Sequence, residues 1–428
     1  MLHWQNLMGP RGQAAVGVLC FLGIVAALSA NLRAVNWRTI GLGFALQILL
    51  ALFVIKGPGY AFFDAIGSVV KKFLEFTNAG SQFVFGNLAN REAMNKLFPP
   101  DRGFIFAFSG LPTVIFVASF FTVLYYFGVL QLIVRLIAKI MMYLLQTSGA
   151  ETLSVTANIF MGQTEAPLII KPYVPRMTQS ELLTLMVGGM AHVSGGIMAV
   201  YIDLGADPVA ILATSVMASP CTLYLTKLFL PEMQVPETRG AASVVVEKQH
   251  VNVIDAAASG ASDGMRLALN IAAMLIAFLA MIELCNALLK AIPIEPQLSL
   301  QNIFSWVFAP VAFLLGVEGR DIPKVADLLG TKLVANELLA YVKLHDYMSQ
   351  AHEPLSPRAR ILASYALTGF ANFASIGIQI GGIGALAPSR RHDLARFGLK
   401  ALLVGFIVTL INAALAGMLL DLPDASAP

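Results

Sequence analysis

Two acidic side chains lie where the surrounding sequence is apolar and its helical pattern breaks. Glu165 closes the run Gly162-Gln163-Thr164 ahead of Ala166-Pro167, and Glu337 follows Ala335-Asn336. A carboxylate at membrane depth costs roughly 2.5 kcal/mol or more, so such groups face a cavity and have a task there. Two further breaks carry polar, glycine-rich sequence: Gly189-Met190-Ala191-His192-Val193-Ser194-Gly195-Gly196-Ile197 and Gly369-Phe370-Ala371-Asn372-Phe373-Ala374-Ser375-Ile376-Gly377. Unwound backbone leaves N–H and C=O groups that lipid cannot satisfy, so these breaks must meet protein, water, ions or a solute. Freed carbonyls and hydroxyls suit a small cation. Asn158, Ser194 and the carbonyls around Met161, His192 and Val193 form a candidate cage for one.

The elements that position these groups follow from composition. The 428 residues are 57% hydrophobic and 12% charged, with mean hydropathy +0.74. Soluble domains carry about a quarter charged residues, so the chain is an all-α polytopic membrane protein. The net charge of +3 is spread thinly, and no basic run with interleaved aromatics points to nucleic acid. Cys20, Cys221 and Cys285 all sit in apolar stretches without metal-ligand or redox spacing, so they read as buried small hydrophobes and imply no cofactor.

About 20 helical residues cross the hydrocarbon core. Eight stretches qualify: 13–30, 38–56, 103–128, 181–202, 207–230, 265–292, 358–387 and 394–420. The first follows Arg11 but has no Ala-x-Ala cleavage site after it, so it reads as a retained helix and not a signal peptide. Residues 58–80 mix Lys71, Lys72 and Glu75 with Phe62, Phe63, Val69, Phe73 and Phe76, as an interfacial helix would. The stretches 150–172 and 300–345 are interrupted by polar, Gly or Pro residues and read as two re-entrant hairpins.

The polar connection 231–264 divides the chain into halves, each holding a hairpin with a Glu followed by a broken helix. That order is what an inverted-repeat transport core predicts, with its site near the midplane. The expected division is 1–145 for scaffold helices, 146–230 for the first repeat, 231–264 for a cytoplasmic linker, 265–299 for a scaffold helix and 300–428 for the second repeat. Lys and Arg in the short connections orient the whole. With the amino terminus outside, Arg33, Arg38, Lys171, Arg176, Arg239, Lys248, Arg266, Arg390, Arg391, Arg396 and Lys400 fall on the cytoplasmic side, while Arg358 and Arg360 do not fit.

Four motifs then carry a resemblance: Gly162-Gln163-Thr164-Glu165-Ala166-Pro167, the segment Asn252–Ala258 with Gly260-Ala261-Ser262-Asp263-Gly264, Thr331-Lys332-Leu333-Val334-Ala335-Asn336-Glu337, and Gly369–Gly377. In this order they resemble the concentrative nucleoside transporters, which are sodium- or proton-coupled nucleoside symporters. The first hundred residues match in general pattern alone. The resemblance implies a homotrimer of eight-helix protomers in a bacterial inner membrane, each with two re-entrant hairpins and a transport domain moving against a scaffold. It implies substrates such as uridine, cytidine and adenosine.

By the same resemblance, Gln163, Thr164 and Glu165 read the nucleobase, Glu337, Asn372 and Ser375 hold the ribose hydroxyls, and Ile197 and Phe370 pack on base and sugar. Amide and carboxylate groups have the donors and acceptors those tasks need. His192 departs from the pattern, since sodium-coupled bacterial relatives commonly carry a small hydroxyl residue there. Either the remaining oxygens still take Na+ with the imidazole turned aside, or His192 titrates near neutral pH and H+ is the coupling ion. Two readings from other classes remain: an intramembrane transferase using Glu165 and Glu337 as acid and base, and a passive channel. The first lacks any His-Glu-x-x-His or Ser/His pattern, and the second needs a continuous pore ring. Lys332, five positions before Glu337, is a candidate ion-pair partner for it.

Overall fold

The computed structural model describes residues 2–98, 105–239, 250–292, 297–349 and 353–420, which form helices, turns and loops with no strand among them. Helix α1 (Leu2–Ala27) bends at Gly9 and Pro10 and is followed by α2 (Trp37–Ile55). Next come α3 (Gly59–Phe85), the short α4 (Arg91–Leu97) and α5 (Phe106–Tyr126). A first series then runs α6 (Val129–Leu145), α7 (Gly149–Ala157), α8 (Ala166–Ile169), α9 (Gln179–Ala191), α10 (Gly195–Asp203) and α11 (Pro208–Phe229). After the long α12 (Val253–Lys290), a second series runs α13 (Leu300–Leu314), α14 (Ile322–Val334), α15 (Glu337–Met348), α16 (Pro357–Leu367), α17 (Phe373–Leu386) and α18 (Arg391–Leu419). The two series share one order: a helix, two hairpin arms, a helix broken in two, and a long helix.

Among the described residues, seven helical stretches are long and apolar enough to cross a bilayer: Gly9–Ala27, Trp37–Ile55, Phe106–Tyr126, Gln179–Asp203, Pro208–Phe229, Val253–Lys290 and Pro388–Leu419. This is a multi-pass integral membrane protein. The eighth expected stretch, 358–387, divides into α16 and α17 because Gly369 takes φ +114° and Asn372 restarts the helix by accepting the Ser375 N–H at 2.9 Å. Stretches 179–203, 208–229 and 388–419 are 83–89% buried, against 17–33% for α1, α2, α5 and α12. The first broken helix, α11 and α18 therefore form the interior, and α1, α2, α5 and α12 form the outer layer.

Two expected boundaries change. The second hairpin is narrower than 300–345: α14 and α15 are its arms, the tip is Ala335-Asn336, and α13 packs on α14 as a separate helix. The connection expected over 231–264 is shorter, because α12 starts at Val253, capped by Asn252, whose side chain accepts the Asp255 N–H at 2.9 Å. Its small residues are contact surface and not slack. A Cβ on Gly260 would lie 2.6 Å from Thr122 Oγ1, and one on Gly264 2.7 Å from Ile115 Cα, so these glycines let α12 press on α5. The part of that connection at 240–249, including Lys248, lies outside the described residues. Helix α6 fell in a stretch assigned to no element. Its period is plain in retrospect, with Leu130, Val134, Ala138, Met141 and Leu145 buried while Leu132, Leu136 and Tyr143 are exposed.

Helix starts and stops are chemically marked. Ser148 with Glu151 opens α7, and Thr178 with Glu181 opens α9, each as a reciprocal capping box. Lys227 on α11 ties both starts together, 2.7 Å from Glu151 and donating to Ser180 at 2.9 Å. Arg358, which contradicted the orientation rule, is buried with Nε donating to Gly316 O at 3.1 Å and Nη2 to Gly417 O at 2.5 Å. It serves the carbonyl end of α18, so its charge carries no topological signal.

Candidate functional site

The two hairpin tips and the two helix breaks meet. At the first tip α7 ends at Ala157, and the Phe160 carbonyl accepts the Gly195 N–H of the first break at 3.1 Å. The two breaks touch each other through the Phe370 N–H, which donates to His192 O at 3.2 Å. A side chain on Gly369 would strike the carbonyls of Met190 and Ala191, both 2.9 Å from its ideal Cβ. Only glycine permits that φ and that approach together.

All eight residues expected to contact a solute line one cavity of about 190 Å³: Gln163, Thr164 and Glu165 from the first tip, Ile197 from α10, Glu337 from the second tip, and Phe370, Asn372 and Ser375 from the second break. The carboxylates of the two halves thus converge. Leu267, Ile271 and Met274 of α12 close the opposite wall with apolar atoms. A second cavity of about 380 Å³ shares Glu165, Ser194 and Leu267 with the first and continues along α12 past Asp263 and Ser259 to His250. The space around Glu165 therefore runs toward the start of α12.

A chain of hydrogen bonds fixes the polar wall. Glu337 opens α15, where helix-end N–H groups favour an anion. Its Oε1 accepts from the Tyr201 hydroxyl at 2.9 Å and its Oε2 from Asn372 Nδ2 at 2.8 Å. Gln163 Nε2 donates to Ser375 Oγ at 3.3 Å, and Gln163 Oε1 accepts from Gln379 Nε2 at 3.2 Å. Gln379 also donates to Met186 O at 3.0 Å. Glu165 stands apart, exposed to the cavities, with the Gly162 N–H donating to its Oε2. It has more room for a visitor than Glu337, which is buried.

Tyr201 and Gln379 were not singled out from the sequence. Gln379 had a readable signal, a lone amide one turn beyond Ser375 in an apolar run. Tyr201 had only its place one turn after Ile197; its ring stacks on Tyr341 with centroids 4.2 Å apart.

The candidate cation cage is only partly as expected. Asn158 is buried, and its Nδ2 donates to Ser154 O at 3.0 Å while its Oδ1 has no hydrogen-bond partner. A buried acceptor without a donor suits a bound cation. Ser194 opens α10 without a side-chain cap bond and lines both cavities, so its hydroxyl is available too. Met161 lies on the turn that meets the break, and Val193 is fully buried within the break. His192 is differently engaged: Nδ1 bonds Gly188 O at 2.8 Å and Nε2 bonds Ser219 Oγ at 3.1 Å. The imidazole is turned aside onto α11. Neutral amide, carbonyl and hydroxyl oxygens fit an alkali cation.

Glu337 and Lys332 form no ion pair among the described residues. Lys332 Nζ instead donates to Ala366 O at 2.8 Å, Thr409 Oγ1 at 3.1 Å and Thr368 O at 3.4 Å.

The sequence matches three family models in tandem: "Na+ dependent nucleoside transporter N-terminus" over residues 16–88, "Nucleoside recognition" over 107–208 and "Na+ dependent nucleoside transporter C-terminus" over 210–417. Sodium/nucleoside cotransporter 1 of Mus musculus is 43% identical over 419 residues, covering 94% of this chain and 63% of that protein. This chain therefore spans less than two thirds of the length of such mammalian relatives. An uncharacterized transporter of Haemophilus influenzae is 38% identical over 417 residues, covering 96% of this chain and 98% of that one. Among solved structures, CNTnw in an inward-facing substrate-bound state superposes with TM-score 0.90 at 37% identity, covering 95% of this chain and 98% of that one. A double variant of CNTnw in an outward-facing state gives TM-score 0.91 at 37% identity, covering 96% and 97%.

Proposed function

The chain belongs to the Na+ dependent nucleoside transporter family, and from that premise we propose that it is a Na+-coupled nucleoside symporter working by alternating access. The observation that carries this reading is the gathering of eight polar and apolar residues from both halves around one cavity. Gln163, Thr164 and Glu165 face the nucleobase, with an amide and a carboxylate for its N–H and C=O groups. Glu337 accepts from ribose hydroxyls, held in place by Tyr201 and Asn372, and Ser375 completes that side. Ile197 and Phe370 pack on the rings. Uridine, cytidine and adenosine are the substrates assigned.

Asn158 Oδ1, the Ser194 hydroxyl and the Met161 and Val193 carbonyls hold the coupling ion. When bound, Na+ supplies positive charge between the first tip and the first break. The side chains around it do the rest: Asn158 anchors on α7, Ser194 on α10, and the Phe160–Gly195 bond keeps the tip on the break. Order gained there stiffens Gln163, Thr164 and Glu165, so ion and substrate affinities are linked reciprocally. Because both ring nitrogens of His192 are engaged away from the cage, sodium is favoured over protons.

In this reading the hairpins are re-entrant, the two series are inverted repeats, and the outer helices form the scaffold of a homotrimer in a bacterial inner membrane. The cavity continuing toward the start of α12 is then the inward path. Counterflow of labelled uridine in proteoliposomes, across a matrix of Na+ and pH, tests the whole. Sodium-dependent counterflow is expected. Uptake unchanged when choline replaces Na+ at fixed pH, yet rising at acid pH, would establish proton coupling, and no counterflow would leave the enzyme or channel readings.

A further inference from the structure

Helix α6 has 17 residues, fewer than a span needs, and it packs against α2, α5 and α7. One face is buried there, and on the other Leu132, Leu136, Ile140 and Tyr143 form an apolar stripe left uncovered. Arg135 and Lys139 are exposed as well. Four residues apart, they share one edge of that stripe. An uncovered apolar stripe edged with cations is the pattern of a helix lying in the plane of the interface, its apolar side chains among acyl chains and its charges at the headgroups.

Two aromatic side chains agree with that level. Tyr143, near the end of α6, is 85% exposed and Trp37, at the start of α2, is 61% exposed. The Thr39 hydroxyl donates to Leu145 O at 3.0 Å and holds these two helix ends together. Exposed Tyr and Trp collect where membrane meets water. Arg38, also exposed, follows Trp37. No acid opposes these cations from α2, α5 or α6, which contain neither Asp nor Glu. Glu151 on α7 is buried and engaged by Lys227 at 2.7 Å. Among the described residues, the side chains of Arg135 and Lys139 have no ion pair or hydrogen bond.

We propose that α6 is a docking site for anionic phospholipid, whose phosphate is held by Arg135 and Lys139 in the leaflet that the basic connections assign to the cytoplasm. Charge complementarity selects this occupant, since a zwitterionic headgroup brings a cation of its own. Helix α6 runs between Gly128 at φ +77° and Gln146 at φ +56°, the one non-glycine residue with positive φ among the described residues. Sharp turns thus join it to α5, locked on α12, and to α7, the first arm of the hairpin that carries Gln163, Thr164 and Glu165. Bound lipid steadies this link between the outer layer and the tip. The effect on uptake rests on the symport reading above, whereas the lipid binding does not.

Full-length protein in detergent, titrated with dioctanoyl phosphatidylglycerol, is expected to rise in melting temperature. Dioctanoyl phosphatidylcholine and free glycerol phosphate should give no comparable rise. In Arg135→Gln with Lys139→Gln the apparent affinity for that lipid falls by about tenfold or more. The melting temperature without lipid stays at the wild-type value, because neither side chain has a partner to lose, and Arg135→Lys with Lys139→Arg keeps the lipid affinity. In proteoliposomes, replacing about a third of the phosphatidylcholine by phosphatidylglycerol raises the maximal uridine uptake of the wild type by about threefold, but not that of the double Gln variant. The KM for uridine is unchanged in both, since the cations lie outside the cavity.

Equal melting shifts with both lipids in the wild type would overturn the proposal, as would wild-type lipid affinity in the double Gln variant or uptake indifferent to phosphatidylglycerol. Glycerol phosphate acting as well as the lipid would overturn it too, by making the ligand a soluble anion. Wild-type protein without sodium-driven uridine uptake in any vesicle would sink the symport reading, and the melting measurements would still decide the lipid site.

Discussion

Tyr201 donates its hydroxyl to Glu337 at 2.9 Å although the two residues are 136 positions apart. The bond joins the first broken helix to the second hairpin tip, and Asn372 holds the other carboxylate oxygen at 2.8 Å. The carboxylate is thus fixed by two donors before any solute arrives.

Removing the charge should act on binding and not on folding. A hydrogen bond to a charged group is worth about 1.5–3 kcal/mol and a neutral one about 1 kcal/mol. Glu337→Gln is expected to weaken uridine about tenfold to a hundredfold in calorimetry, and Tyr201→Phe about fivefold. Near-normal uridine affinity in Glu337→Gln would remove that residue from the ribose side.

Gln379 bridges Gln163 and Met186 O, so it couples the first tip to α9 from the second half. Gln379→Leu leaves the buried Gln163 Oε1 without its donor, at about 1–3 kcal/mol, and takes from Met186 O the bond it accepts beside its helix partner. Both melting temperature and uridine affinity should drop. A loss of melting temperature with unchanged affinity would show that the bridge supports the fold and leaves the tip alone.

Gly189 lets α9 approach the first tip: an added Cβ would stand 2.6 Å from Gln379 Nε2 and 2.9 Å from Gln163 Cβ. Gly189→Ala should displace both amides, cost about 1–3 kcal/mol in stability, and reduce uridine uptake. Wild-type uptake in this variant would mean that the Gln163 position tolerates movement.

His192 and Asn158 should separate cleanly. In His192→Asn the bonds to Gly188 O and Ser219 are lost, lowering stability by about 1–3 kcal/mol, while the sodium activation curve keeps its midpoint. In Asn158→Ala the Oδ1 acceptor disappears, and the midpoint should move to higher sodium by about tenfold. The reverse pattern in flux assays would put the imidazole into the cage.

The sequence made some of this legible and hid the rest for physical reasons. Polar residues inside apolar runs are rare, so Glu165, Glu337, Asn372 and both breaks were visible as anomalies. Caps were equally readable, as at Ser148 and Glu151. Spacing could not show where long side chains reach. Lys332 lies one helical turn and a bend from Glu337, yet its ammonium turns toward Ala366, Thr368 and Thr409. Small residues were ambiguous as well: the Ala, Gly and Ser run around Gly260 has the composition of a flexible connection, but tight helix contact demands the same residues. Tyr201 was concealed because one tyrosine in an apolar helix most often only fills space, and its partner is far away in the chain.

The two walls of the cavity differ in kind. Every hydrogen-bonding group named on it belongs to the two recurring series, whereas α12 contributes Leu267, Ile271 and Met274, a greasy strip that offers cargo no grip. Glycines on α12 meanwhile lock it onto α5. If one body travels past the other, a polar passenger rides with the carriage that holds it and slides along the rail without having to let go.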